Sequence, residues 1–441
     1  MKTTVFALAT PPGQSAIAIF RISGEAAHDV AHRMSGKLLA HRRAEPSVIY
    51  DEYGEMLDDV VLLYFKAPLS STGEDILEIH CHGSLAVIEA ISSYLSRQPD
   101  LMPAEAGAFT KRAFDNGKMD LTEIEGLADL IESQTDSQRR QAISQLKGQM
   151  RKKAQEWRED IIRLAARLES LIDFSDEELP DSLLSELDKL RQTLITSLSD
   201  TLDDERQGEL IRNGVHVALI GPVNAGKSTA LNGLAGRPAA IVADEAGTTR
   251  DIVEVRLNVS GVSVILKDTA GIRENAGHVE SIGIERAREA ANQSDLVIVV
   301  ADGAQADWYS HAEDICQTVT APMIKIVNKS DKITEQNYYD YQPLSLIEDD
   351  SIRQLETKLA EHCAPLNHSG KQIIITRARH RRLIQNALDA LTSSKDYDYE
   401  TSPEIVAEDM RLAADALGQM LGHIDVEDIL SDIFSSFCIG K

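Results

Sequence analysis

The chain holds only four cysteines in 441 residues: Cys81, Cys316, Cys363 and Cys438. They are scattered and form no C-x-x-C, which argues against disulfides and suits a reducing, cytoplasmic compartment. Long apolar runs are also missing. None reaches the ~18 residues that a membrane span needs, so no membrane partner is expected. The opening residues, Met1 to Ala9, make a poor signal segment, because the apolar part is short and Pro11-Pro12 breaks it. Positive charge is scarce, with 45 Lys and Arg against 71 Asp and Glu and a formal net charge of −26. Phosphate contacts need Lys and Arg, so strong nucleic-acid binding by the chain alone is not expected. The distribution still matters. Residues 173–178 and 200–205 are acidic. Arg139-Arg140, Arg151-Lys152-Lys153 and residues 377–382 are basic, and such clusters are most often solvated helix faces. No internal repeat or low-complexity stretch stands out.

What is present suits several cores. Apolar residues make up 43%, and the length allows about three domains at ~150 residues each. Residues 1–118 alternate short apolar strands (16–22, 59–65 and 76–80) with helices, the pattern of an α+β domain. From Leu121 the spacing turns helical. Ile124, Leu127, Ala128 and Ile131 share one face, as do Ile161, Leu164, Ala165, Leu168 and Leu171. Helices run on through 119–210, broken near Pro180. Residues 211–374 read as an α/β insert, and helices resume over 375–441. The expected architecture is therefore multidomain α/β plus α, with a helical domain interrupted by an inserted phosphate-loop domain.

Gly221-Pro222-Val223-Asn224-Ala225-Gly226-Lys227-Ser228 fits G-x-x-x-x-G-K-[ST]. Apolar residues 215–220 precede it as a strand, and Thr229 to Leu234 follow as the first turn of a helix, which is the context the motif requires. Glycines turn backbone N–H groups toward phosphates, and the helix N-terminus adds partial positive charge. Lys227 would reach the β- and γ-phosphates, and Ser228 would hold Mg²⁺. Asp268, ending a strand over 262–266, would bind Mg²⁺ through water. In Asp268-Thr269-Ala270-Gly271 the Gly271 N–H would face the γ-phosphate. Thr248-Thr249 would supply a hydroxyl to the same Mg²⁺, assigned to Thr249, as a switch. Asn328-Lys329-Ser330-Asp331 follows a strand over 323–327. There the Asp331 carboxylate can accept both hydrogen bonds from the N1–H and 2-amino edge of guanine, a pair adenine lacks. Together these predict a P-loop GTPase domain. Ile272 stands where Ras-like enzymes place a water-orienting glutamine, so the attacking water must be positioned by other means. Arg250 is a candidate finger or a structural ion pair, and Glu280 a carboxylate able to act through a second water. His80-Cys81-His82 offers two strand-face histidines to a metal but no fourth ligand.

Thr10-Pro11-Pro12-Gly13, Arg21-Ile22-Ser23-Gly24, Thr72-Gly73-Glu74-Asp75, His82-Gly83, Arg112-Ala113-Phe114, Ala128-Asp129-Leu130-Ile131 and the terminal Phe437-Cys438-Ile439-Gly440-Lys441 resemble the MnmE (TrmE) tRNA-modification GTPases from end to end. The resemblance implies a homodimer that acts on the wobble uridine of certain tRNAs with the flavoprotein MnmG (GidA), installing a carboxymethylaminomethyl-type group. It implies a tetrahydrofolate derivative, 5-formyl- or methylene-, as one-carbon donor, bound through Arg21, Glu78, Lys118 and Lys441. It implies K⁺ beside the phosphates, held by Asn224, by carbonyls of Ala243 and Glu245 within Ala243-Asp244-Glu245-Ala246-Gly247, and by Thr248. Glu280 becomes the catalytic carboxylate, working with Thr249 and Lys227, and Cys438 a candidate nucleophile. Two departures from the family pattern are Leu346 after Ser345, in place of alanine and near the guanine edge, and Ser84 after Gly83. An Era-like ribosome-assembly GTPase or a regulatory switch shares the GTP motifs. The first needs an RNA-binding appendage such as a G-x-x-G clamp, and the second leaves the N-terminal third unexplained.

Overall fold

The computed structural model describes residues 3–173, 181–204, 206–237, 239–241, 254–268, 291–317, 319–333, 337–368, 375–399, 401–424, 429–430, 433–434 and 440. The chain divides into two compact units. The first holds residues 1–128, 145–195 and 386–441, and the second residues 129–144 and 196–385.

The first unit begins with β1 (Thr4–Leu8), β2 (Ser15–Ser23), α1 (Ala27–Ser35), β3 (Ala44–Tyr50), β4 (Met56–Phe65), β5 (Ile76–Gly83), α2 (Leu85–Ser96), β6 (Leu101–Pro103) and α3 (Ala108–Asp115). The strands form a sheet in the order β3-β4-β5-β2-β1-β6. Period-two alternation sorts its faces. On β5, Leu77, Ile79 and Cys81 are buried while Glu78, His80 and His82 face the other way. Leu77 and Ile79 join Phe20, Ile22, Leu62, Val30, Met34 and Leu95 in one core. Fully burying each aliphatic side chain is worth about 1.5–3 kcal/mol.

Next come α4 (Leu121–Glu132), α5 (Asp136–Leu146), α6 (Gln149–Asp173), α7 (Asp181–Leu202) and α8 (Gln207–Asn213). A capping box starts α4: Glu123 N–H donates to Asp120 Oδ1 at 2.8 Å and Asp120 N–H to Glu123 Oε2 at 2.9 Å. The predicted α6 face is buried at Ile161, Leu164 and Leu168. Ile131, expected on the buried face of α4, is 40% exposed. The helical period runs one turn beyond the core at that point.

The second unit is built on β7 (Val215–Ile220), α9 (Lys227–Ala235), β8 (Ala240–Ile241), β9 (Glu254–Val259), β10 (Val262–Asp268), β11 (Leu296–Asp302), α10 (Trp308–Cys316), β12 (Met323–Asn328), β13 (Gln342–Pro343) and α11 (Asp349–His368). Its sheet order is β13-β12-β11-β7-β10-β9-β8. β7 pairs in parallel with both β10 and β11, and β11 with β12. β11 is buried along its whole length, the continuous apolar run expected of a parallel strand covered on both faces. Because the chain winds outward in both directions from β7, the crevice at the carboxyl ends of β7, β10 and β11 is the switch point where α/β sheets bind ligands.

The chain closes with α12 (Ala378–Ser393) and α13 (Pro403–Leu421). Val406, Met410, Ala413, Leu417 and Met420 are buried on α13, which packs on α6. The packing units cut elsewhere than the limits read from sequence, since residues 129–144, 196–210 and 375–385 cluster with the β7–β13 sheet. Every crossing between units falls inside a helix: α4, α5, α7 or α12.

Candidate functional site

The loop between β7 and α9 lies at the crevice. Gly221 and Gly226 have φ of 149° and 106°, and Asn224 has 63°. A Cβ on Gly221 would stand 2.1 Å from the Val300 carbonyl oxygen, and one on Gly226 would stand 2.2 Å from Asn328 Nδ2. Only glycine fits either position. Lys227 is 8% exposed. Its Nζ folds back into the loop and donates to the Gly221 and Pro222 carbonyls, each at 2.8 Å. Ser228 and Thr229 are exposed at the start of α9.

The second motif is fastened to the first. Asn328 is 6% exposed. Its Nδ2 donates to the Ala225 carbonyl at 2.8 Å, and its Oδ1 accepts the Leu346 N–H at 2.9 Å. Lys329 adopts a left-handed φ of 60°, and its Nζ bridges the Asn224 carbonyl at 2.9 Å and Asp302 Oδ2 at 2.8 Å. Asp331 sits in the short turn Ser330–Lys332. Its carboxylate is exposed and makes no hydrogen bond or ion pair among the described residues. An acceptor held in the open beside a rigid loop suits the two-donor edge of guanine. Leu346 does not crowd this edge. Its side chain is 3% exposed and belongs to the core with Ala225, Leu231 and Leu234. Its N–H donates to Asn328 Oδ1.

Asp268 ends β10 in register with Leu219 of β7, which brings its backbone beside the phosphate loop. Ala243, Asp244, Glu245, Ala246, Gly247, Thr248, Thr249, Arg250, Thr269, Ala270, Gly271, Ile272, Glu280, Cys438 and Lys441 lie outside the described residues. Asn224 is exposed, and its side-chain amide makes no hydrogen bond among the described residues.

In the first unit the sheet register sets Arg21 opposite Glu78. Arg21 Nε and NH2 donate to Glu78 Oε1 at 3.1 and 2.9 Å, and His80 Nε2 lies 3.3 Å from Glu78 Oε2. Cys81 points to the opposite face, where its thiol donates to the Ala18 carbonyl. Burial pushes that thiol up to about 11. His82 pairs with Asp58 at 2.8 Å. Among the described residues no His, Cys, Asp and Glu group could hold a metal ion. Lys118 is exposed, with Cε 3.1 Å from the Cβ position of Gly73. No hydrogen bond or ion pair joins it to Arg21 or Glu78 among the described residues.

Two features were not named from the sequence. One is Asp302, 5% exposed, which anchors Lys329. The signal that could have found it is its place at the end of the apolar run 296–301. The other joins three sequence motifs. Glu74 Oε2 accepts from Arg112 NH1 at 2.6 Å and from Ser23 Oγ at 2.9 Å. Ser23 Oγ lies 2.8 Å from Thr72 Oγ1. Arg112 also reaches the Thr3 and Ser23 carbonyls. Gly440 lies against the end of β1, where a Cβ would meet the Leu8 carbonyl oxygen.

Two arginines of the basic stretch 377–382 are spent on internal ion pairs. Arg377 NH2 and Arg212 Nε converge on Asp129 Oδ1 at 2.7 and 2.9 Å. Arg381 pairs with Glu209 at 2.8 Å and also with Asp204. Burial pushes the Glu209 carboxyl up, but hydrogen bonds from Arg381 and Arg206 outweigh it and leave the group below its ordinary value. Charges spent on internal pairs offer little to RNA. No helix among the described residues is long and apolar enough to cross a membrane.

A family model described as the MnmE helical domain matches residues 121–438, and one described as the GTP-binding protein TrmE N-terminus matches residues 4–118. A tRNA modification GTPase MnmE from Parvibaculum lavamentivorans is 43% identical over 442 residues, covering 99% of this chain and 100% of that one. The protein of the same name from Maricaulis maris is 43% identical over 443 residues, covering both chains completely. That from Paramagnetospirillum magneticum is 41% identical over 447 residues, again covering both. These matches account for the N-terminal and helical segments, which an Era-like or purely regulatory GTPase leaves unexplained.

Proposed function

Because this chain belongs to the MnmE family of tRNA modification GTPases, and so hydrolyses GTP in the service of tRNA modification, we propose how its own residues do so. GTP binds at the β7–α9 loop. Lys227 leaves the Gly221 and Pro222 carbonyls for the β- and γ-phosphates, and Gly226, Lys227, Ser228 and Thr229 present the N-terminus of α9 to them. Ala225 closes the loop from its buried side. Asn328 keeps this loop in register with the base edge, Lys329 covers it, and Asp331 accepts from guanine.

Ser228 and Thr249 would hold Mg²⁺, with Asp268 acting through water, and the ion would supply charge neutralisation for the transferring phosphoryl group. The exposed amide of Asn224 suits a K⁺ ligand, with Ala243, Glu245 and Thr248 completing the set. That cation would offset charge developing between the β- and γ-phosphates. Glu280 orients the attacking water indirectly, while the Thr269, Ala270 and Gly271 backbone and residues 244–247 frame the γ-phosphate.

In the first unit, Glu78 could read a pterin edge through Oε2, and Arg21 fixes the carboxylate from its other oxygen. Lys118 and Lys441 would serve the acidic tail of a tetrahydrofolate derivative, which supplies a one-carbon unit when bound. Gly440 beside Leu8 supports the return of the C-terminus to this domain, bringing Cys438 as a candidate nucleophile. The chain acts as a homodimer with MnmG in the cytoplasm, on the wobble uridine. Domain limits of 1–118, 119–210, 211–374 and 375–441 follow from the same reading.

Asp331, open and unpartnered beside a loop locked to the phosphate cradle, carries the nucleotide assignment. Mass spectrometry of tRNA wobble nucleosides from cells lacking the protein tests the whole. Loss of the carboxymethylaminomethyl-type group is expected, and an unchanged nucleoside profile would refute the reading.

A further inference from the structure

In the chain, the hairpin β9–β10 lies between Thr249, the proposed switch residue, and Gly271, proposed to face the γ-phosphate. Its tip turns at Ser260 and Gly261, both at positive φ (51° and 90°), as a two-residue hairpin turn requires. Two helices grip that tip. From the first turn of α5, the Ser137 N–H donates to the Gly261 carbonyl at 3.3 Å. From the last turn of α11, Asn367 Nδ2 donates to the Ser260 carbonyl. Asn367 Oδ1 in turn accepts from Ser137 Oγ at 3.0 Å and from Arg140 NH2 at 2.7 Å. One amide side chain thus ties the hairpin, α5 and α11 together.

The same end of α5 is tied to the last turn of α8. Gln138 Nε2 donates to the Arg212 carbonyl at 3.0 Å, shortly before β7 begins. Its Oε1 meanwhile caps the start of α5 through the Thr135 N–H at 3.1 Å. So α5 is fixed to the last turn of α8, just ahead of the strand that carries the phosphate loop, and clasped to the β9–β10 hairpin. Movement of the hairpin tip is passed to α5 through Ser137 and Asn367. Beside the clasp lies a polar cleft of about 210 Å³, with Arg256 of β9, Ser263 of β10, Gln134 and Asn213 among its lining residues. Hydrogen-bonded polar surfaces can exchange partners, whereas a close-packed apolar contact resists displacement. From Gln145 onward α5 belongs to the first unit.

We infer that Ser137, Asn367 and the Ser260–Gly261 turn form a relay that reports nucleotide state from the hairpin to α5, with Asn367 as a positioning residue for the tRNA reaction. The inference rests on the proposed roles of Thr249 and Gly271 at the nucleotide. Hydrogen exchange of the full-length protein tests it, in GDP and in a non-hydrolysable GTP analogue. In the wild type, exchange over residues 136–141 should differ between the two by about fivefold or more, the range of ordinary allosteric couplings. Asn367→Ala and the milder Ser137→Ala should retain GTP binding, turnover and melting temperature while the exchange difference collapses and tRNA modification falls. Asn367→Asp, which keeps the acceptor but loses the donor to Ser260, should behave like Asn367→Ala. Nucleotide-independent exchange in the wild type overturns the relay, as does a difference that survives in all three variants. Absence of nucleotide binding would instead strike the GTPase reading itself.

Discussion

Asn328→Ala should separate the two halves of the nucleotide site. The side chain makes two buried bonds, to the Ala225 carbonyl at 2.8 Å and from the Leu346 N–H at 2.9 Å. Alanine removes both partners at once and leaves a buried C=O and a buried N–H unsatisfied. Each such group costs about 1–3 kcal/mol, so the damage is about 2–6 kcal/mol. Water entering the space left by the amide will recover part of it. The loss divides between fold stability and the alignment of loop and base edge. If about 2–3 kcal/mol falls on alignment, GTP and GDP should bind roughly 30- to 150-fold more weakly. Titration of a fluorescent guanine nucleotide, alongside a urea unfolding curve, measures both shares. Lys329→Ala is a second probe. Its Nζ bridges the Asn224 carbonyl and the buried Asp302 carboxylate, so its loss leaves that carboxylate unpaired and should cost about 3 kcal/mol or more. If Asn328→Ala binds GTP with unchanged affinity and unfolds at the same urea concentration, Asn328 does not brace the site.

Leu346→Ala should lower unfolding stability by about 2–4 kcal/mol through a core cavity yet leave guanine preferred over adenine. A switch in preference would show that Leu346 reaches the base. Acid should weaken the Arg381–Glu209 pair. Glu209 is held below its ordinary value of 4.5, so its stabilising contribution is complete above that value and disappears as pH falls through the lower folded value. The stability gap between wild type and Glu209→Gln should therefore shrink on acidification below about 4.5, and a gap that widens in urea titrations at successive pH would contradict the assignment.

The sequence exposed those parts of the site whose chemistry demands a special backbone. Gly221, Gly226 and Lys227 had to stand where they do, because a Cβ collides and a buried cation needs carbonyls or phosphates. The strands β7, β10 and β12 were equally plain, since each is a mostly apolar run that ends at a nucleotide motif. Pairings that depend on tertiary approach stayed hidden. Asp129 was only one residue in a family motif until Arg212 and Arg377 met on its Oδ1. The arginines at 377 and 381 looked like a solvent-facing basic run because sequence spacing cannot show which acids lie across the fold. Likewise, Glu74, Arg112 and Ser23 sat in three separate motifs, and only the sheet and α3 bring them together. Leu346 looked like an intrusion beside the base because its position fixed its backbone but not the side to which its side chain turns.

The proposed catalytic cation is open to a direct measurement: steady-state GTP turnover by the purified full-length protein in K⁺ and in Na⁺ at equal ionic strength, with Asn224→Ala in parallel. The wild type should turn over GTP much faster in K⁺, and Asn224→Ala should lose that advantage while still binding the nucleotide. Equal rates in the two salts would contradict a hydrolytic site completed by a bound monovalent ion.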